Sequence, residues 1–136
     1  MDRVFLDANV LYSAAYKLAS PLRALWDLAD VELSTCEEAA GEALGNLRAD
    51  RPGQVAELER LIGRLRVLKG GSEETLPAES VELPPSDCAI LGAAIRADAT
   101  HFVTGDKTHF GPHFGRTVCD VLILPPSDHL RGQGLP

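Results

Sequence analysis

Apolar residues along this chain follow two alternating rhythms. Val4, Phe5 and Leu6 make an unbroken run of strand length, and "VELS" (31–34), "RVL" (66–68), "HFVT" (101–104) and "VCDVLIL" (118–124) repeat it. Short apolar runs bounded by turn residues read as buried strands. Between them the spacing turns helical. "NVLYSAAYKL" reads as a short helix, and "SPLRALWDLAD" as another, with Ser20 as N-cap and Pro21 at the first helical position. "TCEEAAGEALGNLRA" puts Ala40, Ala43, Leu44 and Leu47 on one face. After the break at Pro52, "QVAELERLIGRLRVL" carries a stripe of Val55, Leu58, Ile62 and Leu65. "KGGSEETLPAES" (69–80) reads as a long loop. Two prolines then lead into a helix that starts near Ser86–Asp87, with Ile90, Leu91, Ala94 and Ile95 facing inward. "PPSDHL" opens a terminal turn or short helix.

Strands alternating with helices predict an α/β fold: three layers, α/β/α, around a central parallel sheet of four to five strands. In such sheets ligands bind at the carboxyl ends of the strands, where strand order reverses. Asp7 follows the first strand directly, and Thr104, Gly105 and Asp106 follow a later one.

Composition narrows the picture. With 136 residues, 45% hydrophobic and 24% charged, the chain suits one globular domain spanning 1–136. No apolar stretch approaches the roughly 18 residues of a membrane span, and the N-terminus lacks a signal-peptide pattern, so a cytoplasmic protein is expected. Cys36, Cys88 and Cys119 form no CxxC pair and suggest neither disulfide nor zinc knuckle; they read as small buried hydrophobes or inert thiols. The net charge of −7 argues against nucleic-acid binding by charge alone, unless clustered acids are neutralised by cations.

Each acid has an ordinary explanation in isolation. Asp7 suits an N-cap, Asp87 suits the first turn of a helix, Asp106 suits a turn, and Glu42 suits a solvated helix face. Parallel topology changes this, because it brings Asp7, Asp87 and Asp106 to one edge of the sheet. Clustered carboxylates repel one another unless cations neutralise them. All-oxygen ligands suit Mg²⁺ or Mn²⁺, one or two ions of which can clamp a phosphodiester and activate water.

Four stretches in order resemble the PIN domain, a fold of metal-dependent RNA nucleases that include VapC-like toxins of toxin–antitoxin pairs. "FLDANVLYSA" is similar to its opening acidic motif, "EALGNL" to the helix with its glutamate, "SDCAILGAA" to the third motif, and "HFVTGDKTHFG" to the strand and turn with the fourth acid. "VLILPPSDHL" resembles the family's last strand and short helix. The resemblance covers nearly the whole chain and implies that Asp7, Glu42, Asp87 and Asp106 bind the metal, supported by Asn9 and Thr104. It places Asp7 and Asp87 nearest the ion, with Glu42 and Asp106 often acting through water. Glu38, one turn earlier on the same face, is the alternative to Glu42. The resemblance further implies an endoribonuclease that leaves 5′-phosphate and 3′-hydroxyl ends, a small antitoxin partner and a homodimer.

Lys107 and His109 are candidate RNA contacts, although "DKTHF" is also an ordinary turn. Six of the 13 basic residues, Arg48, Arg51, Arg60, Arg64, Arg66 and Lys69, lie within residues 48–69. They offer either an RNA-backbone contact or a solvated face pairing with Glu57 and Glu59. His101 and His113 have no partner that the sequence names. Two rivals are weaker. A haloacid-dehalogenase-type phosphatase wants a second Asp where Asn9 stands, and a receiver domain wants an Asp at the end of the third strand, which "RVLKGG" lacks. Within the resemblance two alternatives to a toxin stay open: an RNA-processing PIN-domain nuclease, and a non-catalytic PIN-like module binding RNA or protein, which would not need all four acids.

Overall fold

A computed structural model describes residues 1–69 and 82–133, so the predicted loop at 69–80 lies, apart from Lys69, outside the described residues. The first half runs β1 (Asp2–Leu6), α1 (Ala8–Tyr16), a 3₁₀ segment (Pro21–Asp27), β2 (Val31–Cys36), α2 (Glu37–Asp50), α3 (Val55–Ile62) and β3 (Arg66–Leu68). The second half runs α4 (Pro85–Arg96), β4 (His101–Val103), β5 (Thr117–Val118), β6 (Val121–Leu124) and α5 (Pro126–Gly132).

The strands form one sheet in the order β3-β2-β1-β4-β6-β5. All pairings are parallel except the last, β5 against β6. Among the described residues the sheet therefore has six strands, one antiparallel, where four to five parallel strands were expected. The difference lies in "VCDVLIL". Cys119 and Asp120 both take positive φ, 48° and 68°, and Val118 pairs with Val121 across them. Two consecutive left-handed residues make the tight hairpin turn that suits strand twist, so one apolar run folds back as two strands. Cys119 is accordingly exposed, not a buried hydrophobe, while Cys36 is buried and Cys88 partly so.

Chain order explains the site. From β1 the chain steps outward through β2 to β3, then α4 carries it back across the sheet to β4 on the other side of β1. Right-handed crossovers put α4 on the face opposite the helices of the outward steps. The reversal falls between β1 and β4, where a ligand crevice is expected. Those two strands are closely tied: Phe5 pairs with Phe102, and their rings stack at 5.8 Å. Phe110 packs on Phe102 at 5.1 Å, which fastens the segment after β4 to the core.

The second predicted helix is wound as 3₁₀, an unusually long run for that geometry. Its start is as expected, with Ser20 Oγ accepting from the Leu22 N–H at 3.3 Å and Pro21 in the first position. Its end is fixed by Trp26, whose Nε1–H donates to the Leu61 carbonyl at 3.1 Å. The stripe on α3 is shorter than predicted: the helix ends at Ile62, and Leu58 and Leu61 are its buried residues.

Candidate metal centre

Asp7 sits where β1 becomes α1. The strand end is pinned by Asp7 N–H donating to the Val103 carbonyl at 3.0 Å, and by Thr104 N–H donating to the Leu124 carbonyl at 3.1 Å. Asp7 is the N-cap of α1, with Oδ1 accepting from the Ala8 N–H at 2.8 Å. Its other oxygen does something a cap does not require. Oδ2 accepts from the Thr104 hydroxyl at 2.7 Å and from Asn9 Nδ2 at 3.1 Å. The Thr104 oxygen in turn accepts from Asn9 Nδ2 at 3.2 Å and from the Asp106 N–H at 3.1 Å, so its one proton and both lone pairs are used. Asn9 Oδ1 closes the ring by accepting from the Gly105 N–H at 2.6 Å. A Cβ at position 105 would stand 3.2 Å from that oxygen, which explains a glycine there.

Asp7, Glu42, Asp87 and Asp106 line one cavity of about 360 Å³ together with Ala8, Asn9, Tyr12, Asn46 and Asp50. They arrive from four places: the end of β1, the middle of α2, the first turn of α4 and the turn after β4. Asp7 is 3% exposed. Burial pushes its pKa up to about 6, against hydrogen bonds from Thr104 and Ala8 that lower it; repulsion from Asp87 and Glu42 raises it further. Burial and the neighbouring acids also raise Glu42, which feels Asp87 and Asp106. Asp87 is raised by burial and by Asp106, although His109 opposes this.

Asp106 is different. Burial tends to raise its pKa, but N–H groups of His109 and Thr108 and the His109 ring hold it below the usual carboxylate range. Those two N–H groups each donate to Oδ1 at 3.0 Å. The His109 ring Nδ1 lies 2.8 Å from Asp106 Oδ2 and 3.4 Å from Asp87 Oδ2, and its pKa is raised by the hydrogen bond to Asp106. One ligand atom from each of Asp87, Asp106 and His109 lies within 4.8 Å of the others. The imidazole thus occupies the position of a counter-ion between two carboxylates, beyond the ordinary turn that "DKTHF" suggests.

Glu42, not Glu38, lines the cavity. Glu38 lies in the first turn of α2 beside the Cys36 thiol, whose pKa is pushed up to about 12 by burial first and by Glu38 as well. Glu42→Gln should therefore weaken Mn²⁺ binding by about tenfold or more, whereas Glu38→Gln should leave it nearly unchanged, as read by calorimetric titration. Asn46 and Asp50 were not singled out from sequence, yet they follow Glu42 at four-residue steps on the same helix face. That spacing was the available signal. Asp50 Oδ2 accepts from the Tyr12 hydroxyl at 2.6 Å, which pushes the tyrosine up to about 12.

Thr104 ties three parts of the site together. Thr104→Val keeps its shape but leaves Asn9 and the Asp106 N–H short of an acceptor. Expected results are a loss of about 1–3 kcal/mol in urea unfolding and a ten- to hundredfold weaker Mn²⁺ affinity, on the order seen when supporting groups are removed.

The basic stretch divides. Arg60 and Arg23 both pair with Glu57, the latter at 2.7 Å. Arg64 donates to the Trp26 carbonyl at 3.3 Å, and Arg66 pairs with Glu32 at 3.4 Å. Arg51 lies over the Tyr16 ring at 4.6 Å. Neither Arg48 nor Arg51 lines the acidic cavity, whereas Lys107 is exposed on the turn beside Asp106.

No protein-family profile matches the sequence, and no curated protein sequence matches it. Solved structures do match. The structure of VapBC2 from Rickettsia felis, bound to a DNA fragment from its promoter, superposes with a TM-score of 0.66 at 13% identity, covering 90% of this chain and 98% of that one. The fold is that of a VapC-like PIN domain. VapC20 from Mycobacterium tuberculosis, a toxin that cleaves the sarcin–ricin loop, matches with a TM-score of 0.56 at 13% identity, over 76% of this chain and 91% of that one. In this chain the cavity lies where strand order reverses, at the carboxyl ends of β1 and β4. Among the described residues, no helix is long and apolar enough to cross a membrane.

Proposed function

We propose that this PIN-domain chain is a Mg²⁺- or Mn²⁺-dependent endoribonuclease, with Asp7, Glu42, Asp87 and Asp106 holding one or two ions. The observation that carries this reading is the convergence of these four carboxylates from four elements on one cavity, with Asp7 buried and its burial outweighing the hydrogen bonds it accepts. The donor set fits the cation. Carboxylate oxygens dominate the cavity, which suits a hard divalent ion that keeps several waters, whereas zinc favours nitrogen or sulfur ligands. When bound, such an ion neutralises a phosphodiester and lowers the pKa of a water for in-line attack.

The protein's own groups set the conditions for that chemistry. Thr104 and Asn9 fix the orientation of Asp7, and the two N–H groups of the 108–109 turn fix Asp106. His109 competes with a cation for Asp87 and Asp106, so its imidazole balances charge in the metal-free protein. Lys107 and His109, exposed at the rim, are the nearest candidates to meet an RNA backbone, and Arg48 and Arg51 would serve only a longer strand. The biological setting we propose is the toxin of a two-gene pair, neutralised by a small antitoxin and acting as a homodimer in the cytoplasm. The VapBC2 neighbour supports the partner, and the sarcin–ricin loop toxin supports RNA as substrate.

The test is cleavage of structured and single-stranded RNA by the full chain after chelation, with and without Mn²⁺ or Mg²⁺. Cleavage should vanish with EDTA and return with added metal; activity that persists under chelation overturns the mechanism.

A further inference from the structure

The opposite end of the sheet carries a second cluster with different chemistry. Asp2 opens β1, His101 opens the neighbouring β4, and His129 lies in α5. One ligand atom from each of these three lies within 4.8 Å of the others. Strand geometry explains the convergence. His101 pairs with Val4, and Asp2 stands two residues before Val4, on the same face of the sheet. Asp2 and Asp7 are five residues apart on an extended strand, which puts roughly 16 Å between this cluster and the acidic cavity.

The hydrogen bonding around the cluster is arranged like the surroundings of a ligated metal. The Thr100 hydroxyl donates to the Arg3 carbonyl at 3.0 Å and accepts from the Arg3 N–H at 2.9 Å. His101 Nδ1 lies 2.8 Å from that same oxygen. When the hydroxyl's single proton serves the Arg3 carbonyl, Nδ1–H is the donor to the Thr100 oxygen, and the lone pair of His101 then lies on Nε2. Metal-bound histidines are held in this way, the second ring nitrogen donating to an oxygen. Asp2 Oδ2 accepts from Gln133 Nε2 at 3.3 Å, so the carboxylate is also steadied from behind.

His129 supplies an independent observation. It is 2% exposed, and among the described residues neither of its ring nitrogens has a hydrogen-bond partner. Its ring meets that of His101 edge-on at 5.1 Å. A buried imidazole with both nitrogens unsatisfied is an exception that calls for an explanation, and an ion is one.

We propose that Asp2, His101 and His129 form a second metal site, selective for Zn²⁺ or a similar nitrogen-seeking transition metal, that fastens α5 to the amino ends of β1 and β4. Two imidazoles and one carboxylate are a recognised zinc donor set, with water as the fourth ligand. Zinc requires neighbouring ligand atoms about 3.3 Å apart, so the cluster needs only a small closure. The acidic cavity, by contrast, offers mainly hard oxygen donors. The proposal is independent of the nuclease reading.

The test uses the full chain carrying Asp7→Asn and Asp87→Asn, so that the acidic cavity does not compete, stripped with chelator and titrated with Zn²⁺ by calorimetry. The same titration is run on the unsubstituted chain in excess Mg²⁺. One Zn²⁺ per chain and a raised melting temperature are expected in both. His101→Ala and Asp2→Asn, at partly exposed positions that should tolerate change, should each weaken Zn²⁺ at least about tenfold, and His109→Ala should not. Co²⁺ should show visible absorption bands that His101→Ala removes. Absence of saturable Zn²⁺ binding, or affinity unchanged in both His101→Ala and Asp2→Asn, overturns the site.

Discussion

Asp7→Asn should reduce metal-dependent RNA cleavage by roughly two to three orders of magnitude, the scale of removing one preorganised electrostatic group. The substitution is nearly isosteric. An amide can still accept from the Ala8 N–H and preserve the cap, so α1 should start in the same place. What changes is the charge at the most buried acid of the cavity. Single-turnover cleavage at saturating Mn²⁺, beside a Mn²⁺ titration, separates lost metal from lost chemistry. A variant that binds Mn²⁺ normally and cleaves normally would remove Asp7 from the centre.

Relative to the parent, the same variant should gain stability as pH rises from 4 to 7, both proteins being metal-free. Unfolded Asp7 ionises near 3.8, and in the folded chain burial pushes it to about 6. Folding therefore takes up a proton between these values. The stability held by neutral Asp7 is complete below 3.8 and is lost as pH climbs through 6. The shift corresponds to at most about 3 kcal/mol. The substituted amide has no charge to bury and escapes that loss. It meets a different difficulty: Asn9 Nδ2 points a donor at the position Asp7 Oδ2 occupied, and an amide there must either turn its own NH₂ toward that donor or surrender the Ala8 contact. That offset does not depend on pH, so the slope is the diagnostic quantity. Urea melts at pH 4, 5, 6 and 7.5 read it, and a flat difference between the two proteins would refute the buried-charge account. Added Mn²⁺ should reverse the order by stabilising the parent alone.

Together these results would describe a site at odds with its own fold. Five carboxylates, Asp50 among them, share a cavity whose most buried member is raised by desolvation, and an imidazole, two turn N–H groups, the Ala8 N–H and the Thr104–Asn9 pair relieve it in part. Functional sites often depart from what stability alone would choose.

The sequence made much of this visible for simple reasons. Asp7 and Thr104 directly follow apolar runs, and Asp106 stands two residues beyond Thr104, so any parallel sheet puts them at one edge. Asp87 follows two prolines, and α4 starts at Pro85, which places Asp87 in its first turn. The choice between Glu42 and Glu38 was not open to pattern reading, because both lie on one helical stripe. What separates them in the fold is that α2 begins immediately after β2, tucking its first turn against Cys36 and leaving the second to reach the cavity. The hairpin at Cys119–Asp120 was hidden because its turn lacks the Asn-Gly or Asp-Gly pair that usually announces one. His129 escaped notice because nothing local marks it. Its neighbours Asp2 and His101 come from distant parts of the chain, and only the pairing of β1 with β4 assembles them.

The sheet's margins limit how two copies of this chain can meet. One border is β3, three residues long, and the other is β5, two residues long and turned antiparallel by the hairpin. Borders this short offer few unpaired backbone groups for another chain to extend, and brevity is a recognised defence against strand-to-strand aggregation. A continuous sheet running through two molecules would have little to build on. Among the described residues, then, a second copy would meet side chains on the helical layers, and substitutions at the strand margins should leave any such contact untouched.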